Sequence, residues 1–143
     1  MLEQDAILSK ISIIKRCLQS IKSITGLQPE SLEDIVAQDV FVLNVQRSVQ
    51  ACIDMANILI SENGWKLPAS YKESFSILFD NKIISDKLSK TMHKMCGFRN
   101  IAVHDYQQLI PEIMKSILVN HLKDFEEFYT VIFRQISKPG SEK

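Results

Sequence analysis

The chain has 143 residues, of which 45% are hydrophobic and 24% charged, and these values are typical of one compact domain with a buried core. Its 17 Lys and Arg cancel its 17 Asp and Glu, so the molecule as a whole has no strong field that would attract RNA or a membrane surface. An anionic partner must therefore be held by a local patch of charge. Only four Gly and four Pro are present, and β-branched residues form no alternating runs, so the composition favours helix over sheet.

The three cysteines, Cys17, Cys52 and Cys96, are odd in number, far apart and placed within apolar helical patterns. They fit neither a disulfide framework nor the spacing of a zinc site, so we expect no metal site and a reducing, cytoplasmic location. The N-terminus carries acidic residues where a signal peptide carries basic ones, and no apolar run reaches the roughly 18 residues of a membrane span. The sequence thus predicts a soluble, unprocessed protein without a membrane partner.

A first helix is predicted by apolar residues that recur every three or four positions and stop near Thr25-Gly26. These residues are Ile7, Ile11, Ile14, Leu18 and Ile21. The segment Ser31-Leu32-Glu33-Asp34 can cap a second helix, which continues with the same apolar period to Asn63-Gly64. The stripe of this second helix consists of Val42, Val45, Val49, Cys52, Ala56 and Leu59.

Three further helices follow a break at Leu67-Pro68. The pattern Ser70-Tyr71-Lys72-Glu73 is a capping box for a third helix that runs to about Phe79. Ser85-Asp86 caps a fourth helix, and Pro111, which a first turn tolerates, opens a fifth. The apolar stripe of the fourth helix starts with Leu88, Met92 and Met95, and that of the fifth includes Met114, Ile117, Leu122, Phe125, Tyr129, Ile132 and Ile136.

Short connections between helices favour antiparallel neighbours, so the predicted fold is all-α, an up-and-down bundle of four to five helices. We assign residues 1–136 to a single helical domain and residues 137–143, which contain Pro, Gly and charged residues, to a disordered tail. The stripes of the first two helices are heptad-like, which suits packing inside the bundle and a dimer interface equally well.

The apolar stripe of the fourth helix leads to an arginine. When it is continued by the same steps, the stripe reaches Arg99, Ala102 and Tyr106. A guanidinium group does not lose its proton, so on an apolar face it needs a carboxylate, phosphate or carbonyl partner. Two interpretations stay open: an ion pair of Arg99 with Asp54 or Glu73 that fixes helix register, or a site that binds phosphate.

Other polar residues lie beside this stripe. Asn100 and His104 are four residues apart on a neighbouring face of the helix. His93 and His121 are interpreted as structural residues, because a lone histidine on a helix is more often a surface or hydrogen-bonded residue than a catalytic one. A basic stripe could guide RNA, but such a stripe is more often a solvated helix face. It consists of Lys87, Lys90 and Lys94.

The run from Gly97 to Tyr106 resembles the motif of HEPN domains, which is an Arg, a polar residue, a short spacer and a His. Here these are Arg99, Asn100 and His104, in the variant that ends His-x-Tyr at Tyr106. Other segments resemble the body of the HepT toxin branch of this family, also called DUF86-like, so the resemblance covers nearly the whole chain. They are Val42-Leu43-Asn44-Val45-Gln46-Arg47, Ala51-Cys52-Ile53-Asp54, Pro68-x-Ser70-Tyr71 and Phe75-x-x-Leu78.

This resemblance implies a toxin that forms homodimers, brings two motifs together in a cleft, and cuts RNA without a metal or other cofactor. His104 would move a proton near neutral pH, and Arg99 would stabilise the charge that grows on the phosphorus. Asn100 would orient a phosphate or the imidazole, and Tyr106 would donate a hydrogen bond to the scissile phosphate or stack on a base.

The resemblance also implies a partner, a small nucleotidyltransferase antitoxin of the MNT type, in a toxin–antitoxin system like those of types II and VII. This antitoxin would adenylylate Tyr106 and so place negative charge and bulk where the RNA phosphate would lie. Two rival functions remain. One is a non-catalytic HEPN module that binds a nucleotide or a nucleotidyltransferase partner, and the other is a helical scaffold with Arg99 buried against a carboxylate.

Overall fold

Helix α2 is the centre of the fold, because α1, α3, α4 and α6 all pack against it. The computed structural model describes residues 2–137, and no strand occurs within that range. The α-helices are α1 Leu2–Thr25, α2 Ile35–Glu62, α3 Tyr71–Asp80, α4 Asp86–His104, α5 Pro111–Ser116 and α6 Leu122–Ser137. Short 3₁₀ turns at Pro29–Glu33 and Tyr106–Gln108 precede α2 and follow α4. The predicted all-α class is confirmed.

Helices α1 and α2, which a short connection joins, are antiparallel as predicted, and α2 and α4, between which α3 lies in the chain, are also antiparallel. Between α1 and α2, Lys10 contacts Asp54, and Cys17 lies against Ser48 further along. Between α2 and α4, the contacts are Gln50 with Arg99 and Asp39 with Tyr106, the latter just beyond the end of α4. The direction of α4 therefore places the whole Arg99 to Tyr106 segment along one side of α2.

The helix starts follow the predicted caps. Asp34, the last residue of the predicted cap segment, accepts a hydrogen bond from the Ala37 amide at 3.0 Å and starts α2. At α3, the Ser70 hydroxyl accepts from the Glu73 amide at 3.1 Å, and the Glu73 carboxylate reaches back to the Ala69 amide. The Ser85 hydroxyl accepts from the Leu88 amide at 3.1 Å and starts α4. Each side chain satisfies an amide that the first helical turn leaves without a partner.

The predicted fifth helix is present, but its middle turn is wider than an α-helix. Residues Ile117–His121 form a π-helical turn between α5 and α6, and the three segments continue without a break. Pro111 occupies the first turn of α5, as expected. Ser137, which we assigned to the tail, is the last residue of α6, and the remainder of the predicted tail, 138–143, lies outside the described residues.

The hydrophobic core consists largely of residues from the predicted apolar stripes. Ile7, Ile14 and Ile21 of α1 are fully buried, as are the large side chains of Phe41, Phe75, Phe125 and Phe128. Phe75 and Phe128 meet edge to face with ring centroids 5.5 Å apart, which joins α3 to α6. All three cysteines are buried and free, and burial raises the pKa of each thiol. Along the described chain, no helix is both long and apolar enough to cross a membrane.

Candidate active site

Helix α4 ends inside the motif. His104 is its last residue, and the backbone of Asp105 leaves the helical conformation with φ −155° and ψ 62°. Tyr106 therefore begins the 3₁₀ turn and does not continue the apolar stripe of the helix, so our prediction of its helical register is wrong. Its side chain still turns back to α2, where its hydroxyl donates a hydrogen bond to Oδ1 of Asp39.

Arg99 is half-buried between α2 and α3. Its Nη2 donates to the side-chain oxygen of Gln50 at 3.0 Å, and its Nη1 donates to Oδ1 of Asn100 at 3.2 Å. The guanidinium lies 5.2 Å from the ring centroid of Tyr71, a distance at which a cation and an aromatic face attract each other. Its Nε is buried and has no hydrogen-bond partner among residues 2–137. The predicted need for a partner is met by neutral groups.

The proposed ion pair of Arg99 with Asp54 or Glu73 is not formed. Asp54 pairs with Lys10 at 3.0 Å, and Glu73 lies near Lys66 and the α3 cap. Within residues 2–137, no carboxylate lies within ion-pair distance of Arg99. The scaffold interpretation required such a carboxylate, so the structure contradicts it.

A chain of polar contacts reaches Arg99 from α1. Lys10 holds Oδ2 of Asp54, Oδ1 of Asp54 accepts from the amide nitrogen of Gln50 at 2.9 Å, and the Gln50 oxygen then faces Arg99. The Asp54 carboxylate thus orients the Gln50 amide, and the positive charge of Lys10 compensates the negative charge of Asp54. Because its own contacts are to neutral groups, Arg99 keeps an uncompensated positive charge that a phosphate could approach.

Asn100 and His104 face solvent at the end of α4. Asn100 touches Arg99, whereas the His104 ring makes no side-chain hydrogen bond with any described residue. Arg99 and His104 are five positions apart in the helix, so their side chains leave it in different directions. The structure therefore brings Arg99 and Asn100 together, sets Tyr106 beside Asp39, and leaves His104 exposed nearby.

Tyr106 is 37% exposed, yet its pKa is raised to about 12, first by partial burial and then by the Asp39 carboxylate that accepts its hydrogen bond. Sequence reasoning named neither Asp39 nor Gln50. They lie eleven residues apart, which is close to three helical turns, and therefore share one face of α2. Polar residues at helical spacing on an otherwise apolar helix were the available signal.

The other histidines have structural contacts, as predicted. His93 hydrogen bonds with the Ser76 hydroxyl at 3.0 Å, and His121 pairs with Asp124 at 2.8 Å one turn further along. In the basic stripe, Lys90 pairs with Asp86 at 2.9 Å, and all three lysines are exposed. No set of three His, Cys, Asp or Glu side chains within residues 2–137 is close enough to hold a metal ion.

A groove of about 560 Å³ lies between α1 and α2 and shares Gln50 and Asp54 with the Arg99 network. Arg16 and Arg47 line it and are both exposed, and neither is paired with a carboxylate among the described residues. Together with Lys10, they give the groove more positive than negative charge. This groove is the kind of local basic patch that a chain of zero net charge needs to hold an anion.

The sequence profile of the family described as "Ribonuclease HepT-like" matches residues 14–132. The chain therefore belongs to the HepT-like ribonuclease family, as the motif predicted. It is 42% identical over 128 residues to the mRNA nuclease HepT of Shewanella oneidensis, and this match covers 90% of the chain and 96% of the relative.

The fold is also similar to those of solved toxin–antitoxin complexes. A tri-AMPylated Shewanella oneidensis HEPN toxin in complex with MNT antitoxin matches with a TM-score of 0.85 and 42% identity, over 90% of this chain and 96% of that one. A toxin–antitoxin with AMP-PNP matches with a TM-score of 0.85 and 41% identity, over 90% and 97%. YutE from Bacillus subtilis, at 18% identity and a TM-score of 0.79 over 91% and 87%, is similar in fold alone. The HEPN-like bundle is thereby confirmed.

Proposed function

We propose that this protein is the endoribonuclease toxin of a toxin–antitoxin system and cuts RNA without a metal ion or other cofactor. The observation that supports this most is the environment of Arg99, whose guanidinium is held by the neutral Gln50 and Asn100 side chains and is paired with no carboxylate of residues 2–137. Membership in the HepT-like family and the 42% identity to an mRNA nuclease support the assignment. The cytoplasm is the proposed location because messenger RNA, the substrate class of that relative, is found there.

The proposed chemistry uses the ribose hydroxyl next to the scissile phosphate. His104 removes the proton of the 2′-hydroxyl, the 2′-oxygen bonds to phosphorus, and the bond to the 5′-oxygen breaks to leave a 2′,3′-cyclic phosphate. Arg99 stabilises the negative charge on the phosphoryl oxygens. Asn100 orients the guanidinium or a phosphate, and Tyr106 contacts the phosphate or a base. The basic groove between α1 and α2 holds the neighbouring stretch of the strand.

We propose a homodimer in which two motifs form one cleft. Helix α2 exposes Val36 and Leu43, which lie fourteen and seven residues before Gln50 on the same face of the helix. Val103 and Ile110, on either side of Tyr106, are 42% and 51% exposed. Exposed apolar residues grouped around a polar site favour a subunit surface. In such a cleft, one His104 takes the 2′-hydroxyl proton and its copy donates a proton to the leaving 5′-oxygen.

The proposed partner is a nucleotidyltransferase antitoxin of the MNT type that silences the toxin by adenylylating Tyr106. A relative with 42% identity is described as tri-AMPylated and bound to MNT antitoxin. Tyr106 is exposed enough for a nucleotide to reach, and it follows His104 in the sequence with only Asp105 between them. Added phosphate at that point repels the RNA phosphate and fills the space beside the histidine.

Purified protein is expected to cleave RNA in the presence of EDTA and to leave 2′,3′-cyclic phosphate ends, which end-specific ligation and mass spectrometry detect. His104→Ala should reduce this cleavage by about 100-fold or more, because a positioned acid–base group contributes that much. His121→Ala is the matched control and should cleave normally, since His121 lies outside the motif and hydrogen bonds with Asp124 of α6. Cleavage that requires added metal would reject the mechanism, and a protein that binds RNA without cutting it would favour the non-catalytic alternative.

Coexpression with a nucleotidyltransferase antitoxin of the MNT type is expected to add adenylyl mass to the peptide that contains Tyr106. Tyr106→Phe should abolish that mass increase, whereas Tyr129→Phe, on α6, should leave it unchanged. Tandem mass spectrometry of the digested toxin measures both. Adenylyl groups found on another residue would overturn the assignment of the modification site and leave the ribonuclease assignment standing.

A further inference from the structure

We propose that Asp39 is the general base for adenylyl transfer to Tyr106, so that the toxin itself supplies a catalytic residue for its own silencing. This inference rests on the proposed function, in which Tyr106 is the acceptor. Asp39 lies in the second turn of α2, and Tyr106 lies in the turn that follows α4. The two are 67 residues apart in sequence and are joined by a hydrogen bond from the phenol to the carboxylate.

The geometry of this contact suits proton transfer. The phenolic oxygen is the atom that must bond to phosphorus, and its proton already points to Oδ1 of Asp39. Asp39 is exposed and has no cation within ion-pair distance among the described residues, so its carboxylate is free to accept a proton. Tyr106 is 37% exposed, so an incoming nucleotide can approach the oxygen from the solvent side.

The acceptor also needs a base. The pKa of Tyr106 is raised to about 12, so at neutral pH the phenol carries its proton when the nucleotide arrives. Prior ionisation is therefore a minor route, and removal of the proton during attack is the effective one. A carboxylate that raises the pKa of the phenol in the resting toxin is the same group that receives the proton in the reaction.

The step balances with ATP bound by the nucleotidyltransferase partner. The Tyr106 oxygen attacks the α-phosphorus of ATP, its proton passes to Asp39, and a new bond forms between the phenolic oxygen and that phosphorus. The bond from the α-phosphorus to the bridging oxygen breaks, and pyrophosphate leaves. The products are adenylylated Tyr106, pyrophosphate and a proton that Asp39 releases to solvent.

Asp39→Asn separates this role from simple positioning. The asparagine oxygen can still accept the hydrogen bond of the phenol, and the side chain keeps its size, but an amide does not take up a proton near neutral pH. The matched control is Asp80→Asn, which removes an exposed carboxylate at the end of α3, the helix end that lies near the start of α4 and away from Tyr106.

The experiment mixes each toxin variant with its nucleotidyltransferase and ATP radiolabelled on the α-phosphate. Initial rates of Tyr106 labelling, affinity for the partner and RNA cleavage by unmodified toxin are measured. Asp39→Asn is expected to slow labelling by about 100-fold, with unchanged partner affinity. Its residual rate should rise with pH as the phenol ionises, while Asp80→Asn should behave like wild type.

Three outcomes would overturn the proposal: an Asp39→Asn toxin labelled at the wild-type rate, slow labelling explained by lost partner affinity, or slow labelling that high pH does not rescue. If wild-type toxin acquires no adenylyl group on Tyr106, the modification assignment fails first and the role of Asp39 falls with it. That result is distinct from slow labelling of the variant alone.

Discussion

Arg99→Ala is expected to lower kcat/KM for RNA cleavage by about 100- to 1,000-fold, the usual loss when one preorganised donor to a developing negative charge is removed. The guanidinium is held by Gln50 and Asn100 and compensated by no described carboxylate, so it is ready for the phosphoryl oxygens before RNA binds. Cleavage of a fluorescent RNA oligonucleotide, with circular dichroism to verify folding, measures the effect. If the variant cleaves RNA as fast as wild type, Arg99 has no role in the reaction.

Gln50→Glu gives the sharper companion test because it leaves Arg99 in place. A carboxylate at the position of the Gln50 oxygen, 3.0 Å from Nη2, would pair with the guanidinium and compete with the phosphate. It would also stand beside Asp54, so like charges would disturb the network from Lys10. We expect a loss of about 10- to 100-fold in cleavage with the fold retained, whereas Gln50→Ala should lose less because it adds no charge.

Phe75→Ala is expected to lower the free energy of unfolding by about 3–5 kcal/mol, since the deletion of a buried ring leaves a cavity. Phe75 is fully buried and meets Phe128 edge to face, so the change loosens the packing of α3 against α6. Phe79→Ala is the matched control in the same helix. Because Phe79 is 40% exposed, this change should lower the free energy of unfolding much less. Urea denaturation followed by circular dichroism measures both values, and equal losses would contradict the assigned core.

Much of the fold could be predicted from local patterns. Apolar spacing of three and four residues identified each long helix, and Asp34, Ser70 and Ser85 cap helices because their side chains accept from amides that the first turn leaves free. These signals act over a few residues and are visible in the sequence. The π-helical turn at Ile117–His121 left no such signal, since it adds one residue to a turn without changing residue types.

The partners of the motif could not be predicted, because they come from distant parts of the chain. A carboxylate, phosphate or carbonyl was expected beside Arg99 because of the cost of burial, and an ion pair with Asp54 or Glu73 was one of two open interpretations. The side chain is only half-buried, however, so an amide, an aromatic face and the solvent suffice. Asp54 was a reasonable candidate for the ion-pair partner of Arg99, but it forms an ion pair with Lys10 of α1 instead. The Asp39 contact depended on where α4 ends, and Asp105 set that end without a glycine or proline to mark it.

The neutral character of Gln50 also has a genetic consequence. Glutamine and glutamate codons differ by a single base. A single point mutation can therefore produce Gln50→Glu, whose carboxylate would neutralise the charge of Arg99. Cells that express the toxin without its antitoxin should therefore yield survivors that carry Gln50→Glu alongside truncations and frameshifts. In the proposed system, such survivors produce a full-length, folded protein that still binds the antitoxin but no longer arrests growth.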